Sequence, residues 1–167
     1  MSKDNLRQAI LYSYIAGLID GEGSISISKL IRKDKQHWKP AYNGFVCIGN
    51  TSKVMIDLII ETFGGTYTTE CVPYRKPMYK WMTRSSEKVI RILESLLPYL
   101  KVKSEQAKIV IEFCKTKQTK GFQRKNGVPK MELQRREGLF HKIRELNATG
   151  AAATTKREDT REGETIV

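Results

Sequence analysis

The sequence predicts an α+β fold in which elements follow in the order αββαββα, with further helices at the C-terminal end. Two observations carry the prediction. Apolar residues at helical spacing near the N-terminus give way, at a cluster of glycines, to strict alternation of apolar and polar residues. Two later helical stretches, each opened by capping residues, bracket a second pair of strand-like runs separated by a proline-containing loop.

Leu6, Ile10, Tyr14 and Leu18, with Leu11 and Ile15 beside them, define a first helix, and Gly17, Gly21 and Gly23 stop it near Asp20. From Ser24 the run SISISKLI sets Ile25 and Ile27 on one face and Ser24, Ser26 and Ser28 on the other, as in a half-buried strand. The polar, basic turn IRKDKQHWKP leads to a second strand near residues 42–48. Asn50, Thr51 and Ser52 cap a helix carried by Val54, Met55, Leu58, Ile59 and Phe63, which Gly64 and Gly65 close. Strands at 66–72 and 78–83 flank a loop containing Pro73 and Pro77, and Ser85 and Ser86 cap a helix bearing Val89, Ile90, Leu93 and Leu97. Beyond Pro98 come a helix near 104–116, a basic loop, and a last amphipathic helix with Leu133, Phe140, Ile143 and Leu146. Residues 1–147 are expected to form the domain. Residues 148–167, Ala/Thr-rich and without apolar period, are expected to form a weakly ordered tail.

A chain of 167 residues can bury a core without disulfides or a structural metal. Its 30 Lys and Arg against 18 Asp and Glu give a formal charge of +12, which favours a polyanionic partner such as nucleic acid. Cys47, Cys71 and Cys114 lie too far apart for a CxxC, neither histidine stands at metal-ligand spacing, and the cysteines read as reduced. The start MSKDNLRQ has no apolar signal core, and no run reaches the ~20 residues that span a bilayer, so no membrane role and a soluble, intracellular protein are expected. Between Phe113 and Met131 stand six basic residues and no acid, a candidate phosphate-contacting loop in which Lys120, Arg124 and Lys125 are singled out.

Asp20 and Glu22 sit among glycines at the junction of helix and strand. Such a Gly-Glu-Gly triplet lets a carboxylate come close to a ligand or a second chain. Gly21-x-Gly23 is no dinucleotide loop: Ser26 occupies the third glycine position, and the order is helix to strand. The bland reading of Asp20 is a helix-end residue bonded to nearby backbone; that of Glu22 is a solvated turn acid.

The stretch from Tyr14 to Ile25, YIAGLIDGEGSI, closely resembles the signature of the LAGLIDADG homing endonucleases. The order of elements, the run LPYLKVKSEQA at 97–107 and RELN at 144–147 extend the resemblance over roughly residues 6 to 150. It implies a four-stranded antiparallel sheet forming a saddle over the DNA major groove, and metal-dependent hydrolysis of double-stranded DNA at a long, near-palindromic target. Glu22, at the second acid of the signature, would ligate Mg²⁺ (or another divalent cation such as Mn²⁺), assisted by the backbone carbonyl of Gly21, with Asp20 chiefly structural. Glu stands where the family commonly has Asp, which keeps the charge. Lys103 matches the lysine that orders water and offsets charge, and Asn50 a water-positioning residue that is usually Gln in close relatives. One signature per chain implies a homodimer joined through the first helix, with Ala16, Gly17 and Asp20 at the contact.

On that saddle, alternate strand residues would read bases. With Ile25 and Ile27 inward, the DNA-facing set is Ser26, Ser28, Leu30 and Arg32; then Asn43 and Phe45; then Tyr67, Thr69 and Cys71; then Met78, Lys80 and Met82, with Tyr79 and Trp81 inward. A register slip of one residue would invert any of these sets. The alternative is a catalytically silent maturase or transcription regulator of the same fold; a basic RNA-binding structural protein would explain the charge but not the signature.

Overall fold

The computed structural model describes residues 2–31, 39–119 and 128–155. Ser2 opens the first helix, its Oγ accepting the amide of Asn5 at 3.2 Å. This helix, α1, covers Lys3–Glu22 and passes directly into strand β1, Gly23–Leu30. It runs past the expected stop at Asp20 because a helix tolerates Gly17 and Gly21 at a modest cost in entropy. The real stop is Gly23. A Cβ there would lie 2.8 Å from the Ile19 Cα and 2.9 Å from its carbonyl oxygen, so the chain turns into the strand only where no side chain intervenes.

Strand β2 (Ala41–Asn50), helix α2 (Lys53–Phe63), strands β3 (Tyr67–Glu70) and β4 (Met78–Thr83), and helices α3 (Ser86–Leu96), α4 (Ser104–Thr119) and α5 (Lys130–Thr155) follow. The expected αββαββα order is therefore present, with two further helices. The strands form one four-stranded antiparallel sheet in the order β1-β2-β4-β3. Helix α5 continues through the first part of the stretch expected as a tail, where Ala151, Ala152 and Ala153 favour helix; residues 156–167 lie outside the described residues.

One face of the sheet carries the core. Ile25, Ile27, Tyr42, Val46, Ile48 and Trp81 are buried against Ile15 and Ile19 of α1, Ile56 and Ile59 of α2, and the apolar faces of α3 and α4. At Gly44 a Cβ would meet the Cys114 Sγ at 2.7 Å, so the glycine allows α4 to lie directly on β2. Helix α5 is pinned over β1 by polar contacts. Lys29 Nζ donates to both oxygens of Glu137 at 2.7 and 2.8 Å, the Tyr42 hydroxyl donates to Glu137 Oε2, and His141 Nε2 lies 2.9 Å from Oε1. Among the described residues, no helix is long and apolar enough to cross a membrane.

Candidate active site

The C-terminal end of α1 is held from below by its own acid. Asp20 Oδ2 accepts the amides of Lys101 and Val102 at 2.7 and 3.1 Å, and Oδ1 accepts that of Lys103 at 2.9 Å. These amides immediately precede α4, where helix geometry leaves N–H groups without partners and favours a negative charge. The carboxylate of Asp20 thus ties α1 to the start of α4 within one chain. The simpler reading, a helix-end residue bonded to backbone, describes what its side chain does within the chain.

The same tie presents Lys103. Its Nζ donates to the carbonyl oxygens of Ile19 (3.0 Å) and Asp20, in the last turn of α1. Burial pushes the Lys103 ammonium below the usual lysine value, and the carboxylates of Asp20 and Glu22 oppose that shift. Glu22, the last residue of α1, is exposed, as is Gly21. An exposed carboxylate, a half-buried ammonium and the negative end of a helix therefore converge at the point where β1 begins. Asn50 ends β2, two residues beyond Ile48, the partner of Gly23. Its Oδ1 accepts the Ser52 amide at 2.8 Å, so that oxygen serves the turn into α2.

On α1 itself the expected contact residues separate. Ala16 is fully buried in this chain's own core, because it lies on the same side as Ile15 and Ile19, and so leaves no surface for a second copy. Gly17 is exposed with open space beside it. It lies in line with Leu6, Ile10 and Tyr14, which are 52, 62 and 54% exposed, an apolar stripe that the chain does not cover.

The register of the sheet decides which side chains share its open face. Ser26 pairs with Phe45, Ser28 with Asn43 and Leu30 with Ala41, so β1 and β2 place the expected residues on one side, together with Ser24 and Cys47. Cys47 and Gly49 stand opposite Met82 and Lys80, which continues that face onto β4 along with Met78. Tyr67 and Thr69 are corrected: they pair with Trp81 and Tyr79 and share their helix side, with Tyr67 packed edge-on to Tyr79 at 5.5 Å. The open face of β3 is formed by Thr68 and Glu70, opposite Lys80 and Met78. The slip arises because β3 begins at Tyr67 and the loop length conceals how it pairs; the apolar Trp81 is the signal in the sequence that could fix it. Cys71 is exposed beyond the end of β3. The amide oxygen of Asn43 is held by Lys117 Nζ at 2.6 Å. Arg32, Lys120, Arg124 and Lys125 lie outside the described residues.

An α1 that ends in an exposed acid beside a half-buried lysine passes straight into a four-stranded antiparallel sheet whose second face the helices leave open, an α+β architecture with its candidate site at the helix-strand junction. The family model described as LAGLIDADG endonuclease matches residues 15–119. The chain belongs to that family. Among solved structures, the homing endonuclease I-CvuI in complex with the I-CreI target shares 20% identity over 96% of this chain and 88% of that one, with a TM-score of 0.64. The archaeal intron-encoded homing endonuclease I-Vdi141I, complexed with DNA, shares 18% identity over 86% of each chain, also with a TM-score of 0.64. These similarities establish the fold. No curated protein matches the chain.

Proposed function

We propose that this chain is a homing endonuclease that hydrolyses phosphodiester bonds in double-stranded DNA at a long, near-palindromic site, acting inside the cell as a homodimer with Mg²⁺ or a similar divalent ion. The observation that carries this reading is the end of α1, where Asp20 is consumed by three backbone amides and Glu22 is left exposed beside Lys103. Family membership and the open sheet face support it.

The donors fit a hard cation. Glu22 supplies a carboxylate oxygen and Gly21 a carbonyl in the last turn of a helix, the ligand types that Mg²⁺ favours. One chain supplies only part of such a site: among its described residues no group of three or more His, Cys, Asp or Glu comes together. A second copy packed along Leu6, Ile10, Tyr14 and Gly17 would bring a second Glu22 to the axis, which also matches the need to cut two strands. When bound, the ion would stabilise negative charge on the attacking and leaving oxygens of an in-line displacement.

The chain's own groups do the rest. Asp20 fixes Lys103 by its backbone, so the ammonium stands at the reacting end of α1 and offsets phosphate charge there. The carboxylates of Asp20 and, to a smaller degree, Glu22 oppose the fall that burial imposes on the Lys103 ammonium. Ser26, Ser28, Phe45, Lys80 and Met82 on the open face, with Thr68 and Glu70, meet base edges and set the register of the DNA against the cut.

Incubation of the purified protein and a Glu22→Gln variant with Mg²⁺ and a randomised duplex library tests the reading. The protein as it stands should yield cut ends at one recurrent, near-palindromic sequence, and the variant should bind that sequence without cutting. Selective binding with no cleavage by either would make the chain a binding protein of the same fold.

A further inference from the structure

Between β3 and β4 the chain reads Val72-Pro73-Tyr74-Arg75-Lys76-Pro77. The Arg75 amide donates to the Val72 carbonyl at 3.1 Å, closing a four-residue turn with Pro73 and Tyr74 at its centre. Tyr74 has φ +64°, the one positive φ at a non-glycine residue among those described. Proline followed by positive φ is the pattern of a type II turn, whose third position is suited to glycine or asparagine; an aromatic residue there is strained. Among the described residues no side-chain packing offsets that strain, because Tyr74 is fully exposed at 108%. A glycine would make the turn more stable and remove an exposed ring. Tyrosine in its place is therefore unfavourable for folding and points to a use outside the chain.

We propose that Tyr74 is a specificity-determining residue, its ring packing on base edges in the DNA groove while Arg75 and Lys76 touch the flanking phosphates. The inference rests on the nuclease reading and extends it to a residue outside the strands. Three features support the position and the partner. The turn joins the two strands that carry Glu70 and Met78, which pair with one another on the open face. It opens at the end of β4 that lies beside Asn50, and Gly23, the residue after Glu22, pairs on the same strand β2 at Ile48. The turn thus projects from the end of the sheet at which α1 delivers its acid. Arg75 and Lys76 are exposed cations without an acid between them, complementary to a polyanion. The two prolines also restrict the backbone of the turn before binding, which lowers the entropy cost of docking onto DNA.

The test uses the full chain and the duplex that it selects from a random library, measured by binding and by base preference at every position. Tyr74→Gly and Tyr74→Asn, both suited to the turn, should melt at or above the temperature of the parent protein. They should bind about tenfold more weakly, the scale of one lost base-edge contact, and flatten preference at one or two neighbouring positions of each half-site. Tyr74→Phe should keep both affinity and preference. Arg75→Ala with Lys76→Ala should weaken all sequences alike and reduce the log-log salt slope by about 0.9 for each phosphate that the chain no longer neutralises. If the parent protein selects a site and the Tyr74→Gly protein ranks every position in the same way with equal affinity, the ring is only a surface residue and the proposal falls alone. If the parent protein selects no DNA, the nuclease reading falls and takes this proposal with it.

Discussion

Replacing Asp20 by Asn should loosen the junction of α1 with α4 and inactivate the site only as a consequence. In the folded chain two amides share Oδ2, from Lys101 at 2.7 Å and Val102 at 3.1 Å, and a third, from Lys103, takes Oδ1 at 2.9 Å. Asparagine retains one acceptor oxygen, which can serve the first two. Its NH₂ then faces the Lys103 N–H, donor against donor, and the negative charge is gone. Hydrogen bonds to charged groups contribute about 1.5–3 kcal/mol each, and partial exposure of Asp20 argues for the lower part of that range, so the loss should be about 2 kcal/mol. For a chain of this size that is a fall in Tm of about 4–8 °C. Thermal melts should show it, and amide hydrogen exchange should show loss of protection concentrated at 101–103. Cleavage should fall in proportion to the displacement of Lys103. A melting temperature unchanged from the parent protein, with cleavage abolished, would refute the structural role and make Asp20 a direct participant.

Glu22→Gln should leave the melting temperature unchanged, since the side chain is exposed, and should push the Lys103 ammonium further below the usual lysine value, because one of the two opposing carboxylates is removed; ¹⁵N-detected titration of the lysine would check this, and an unmoved value would separate the two groups. Gly17→Leu should stabilise the single chain by up to about 1 kcal/mol through helix propensity, because open space surrounds the glycine, yet should halve the mass seen by sedimentation if a second helix packs there. Glu137 is held below the usual carboxylate value of 4.5, chiefly by its bond from Lys29. A depressed carboxylate stabilises the fold above its unfolded value and loses that contribution as pH falls through the folded one. The stability gap between the parent protein and Glu137→Gln should therefore be full at neutral pH and close below about pH 4.5, as read by melts across that range.

Much of this fold is legible in the chain because its periods are local. SISIS can only be a strand with isoleucines on one side, and the structure pairs Ser26 and Ser28 with Phe45 and Asn43 as that alternation requires. Tyr67 and Thr69 go astray for the opposite reason. Their facing depends on a pairing across a loop with two prolines, and nothing within the strand itself distinguishes one register from the next. Ala16 misleads in a similar way: a small residue next to a glycine suits a helix contact, but which helix it meets is decided by α1's rotation about its own axis, and that is set by Ile15 and Ile19. Asp20 is readable as a helix-end acid, whereas its partners at 101–103 lie some eighty residues away in sequence and only the packed chain brings them there. Tyr74 carries no signal in the sequence, since a tyrosine in a turn is ordinary until its φ is known.

Gly23 joins α1 to β1 without a linker, so Glu22 and Ser24 are separated by a single residue that cannot be enlarged. On the nuclease reading this makes the protein a ruler with its blade fixed at the zero mark. Side chains farther along the strand can be exchanged, and with them the text that is recognised, while the offset between that text and the cut is preserved by covalent geometry. New addresses can then arise by single substitutions at Ser26 or Ser28 without any readjustment of where the strand breaks, whereas one residue inserted at the junction would move the blade and scramble every reading position together.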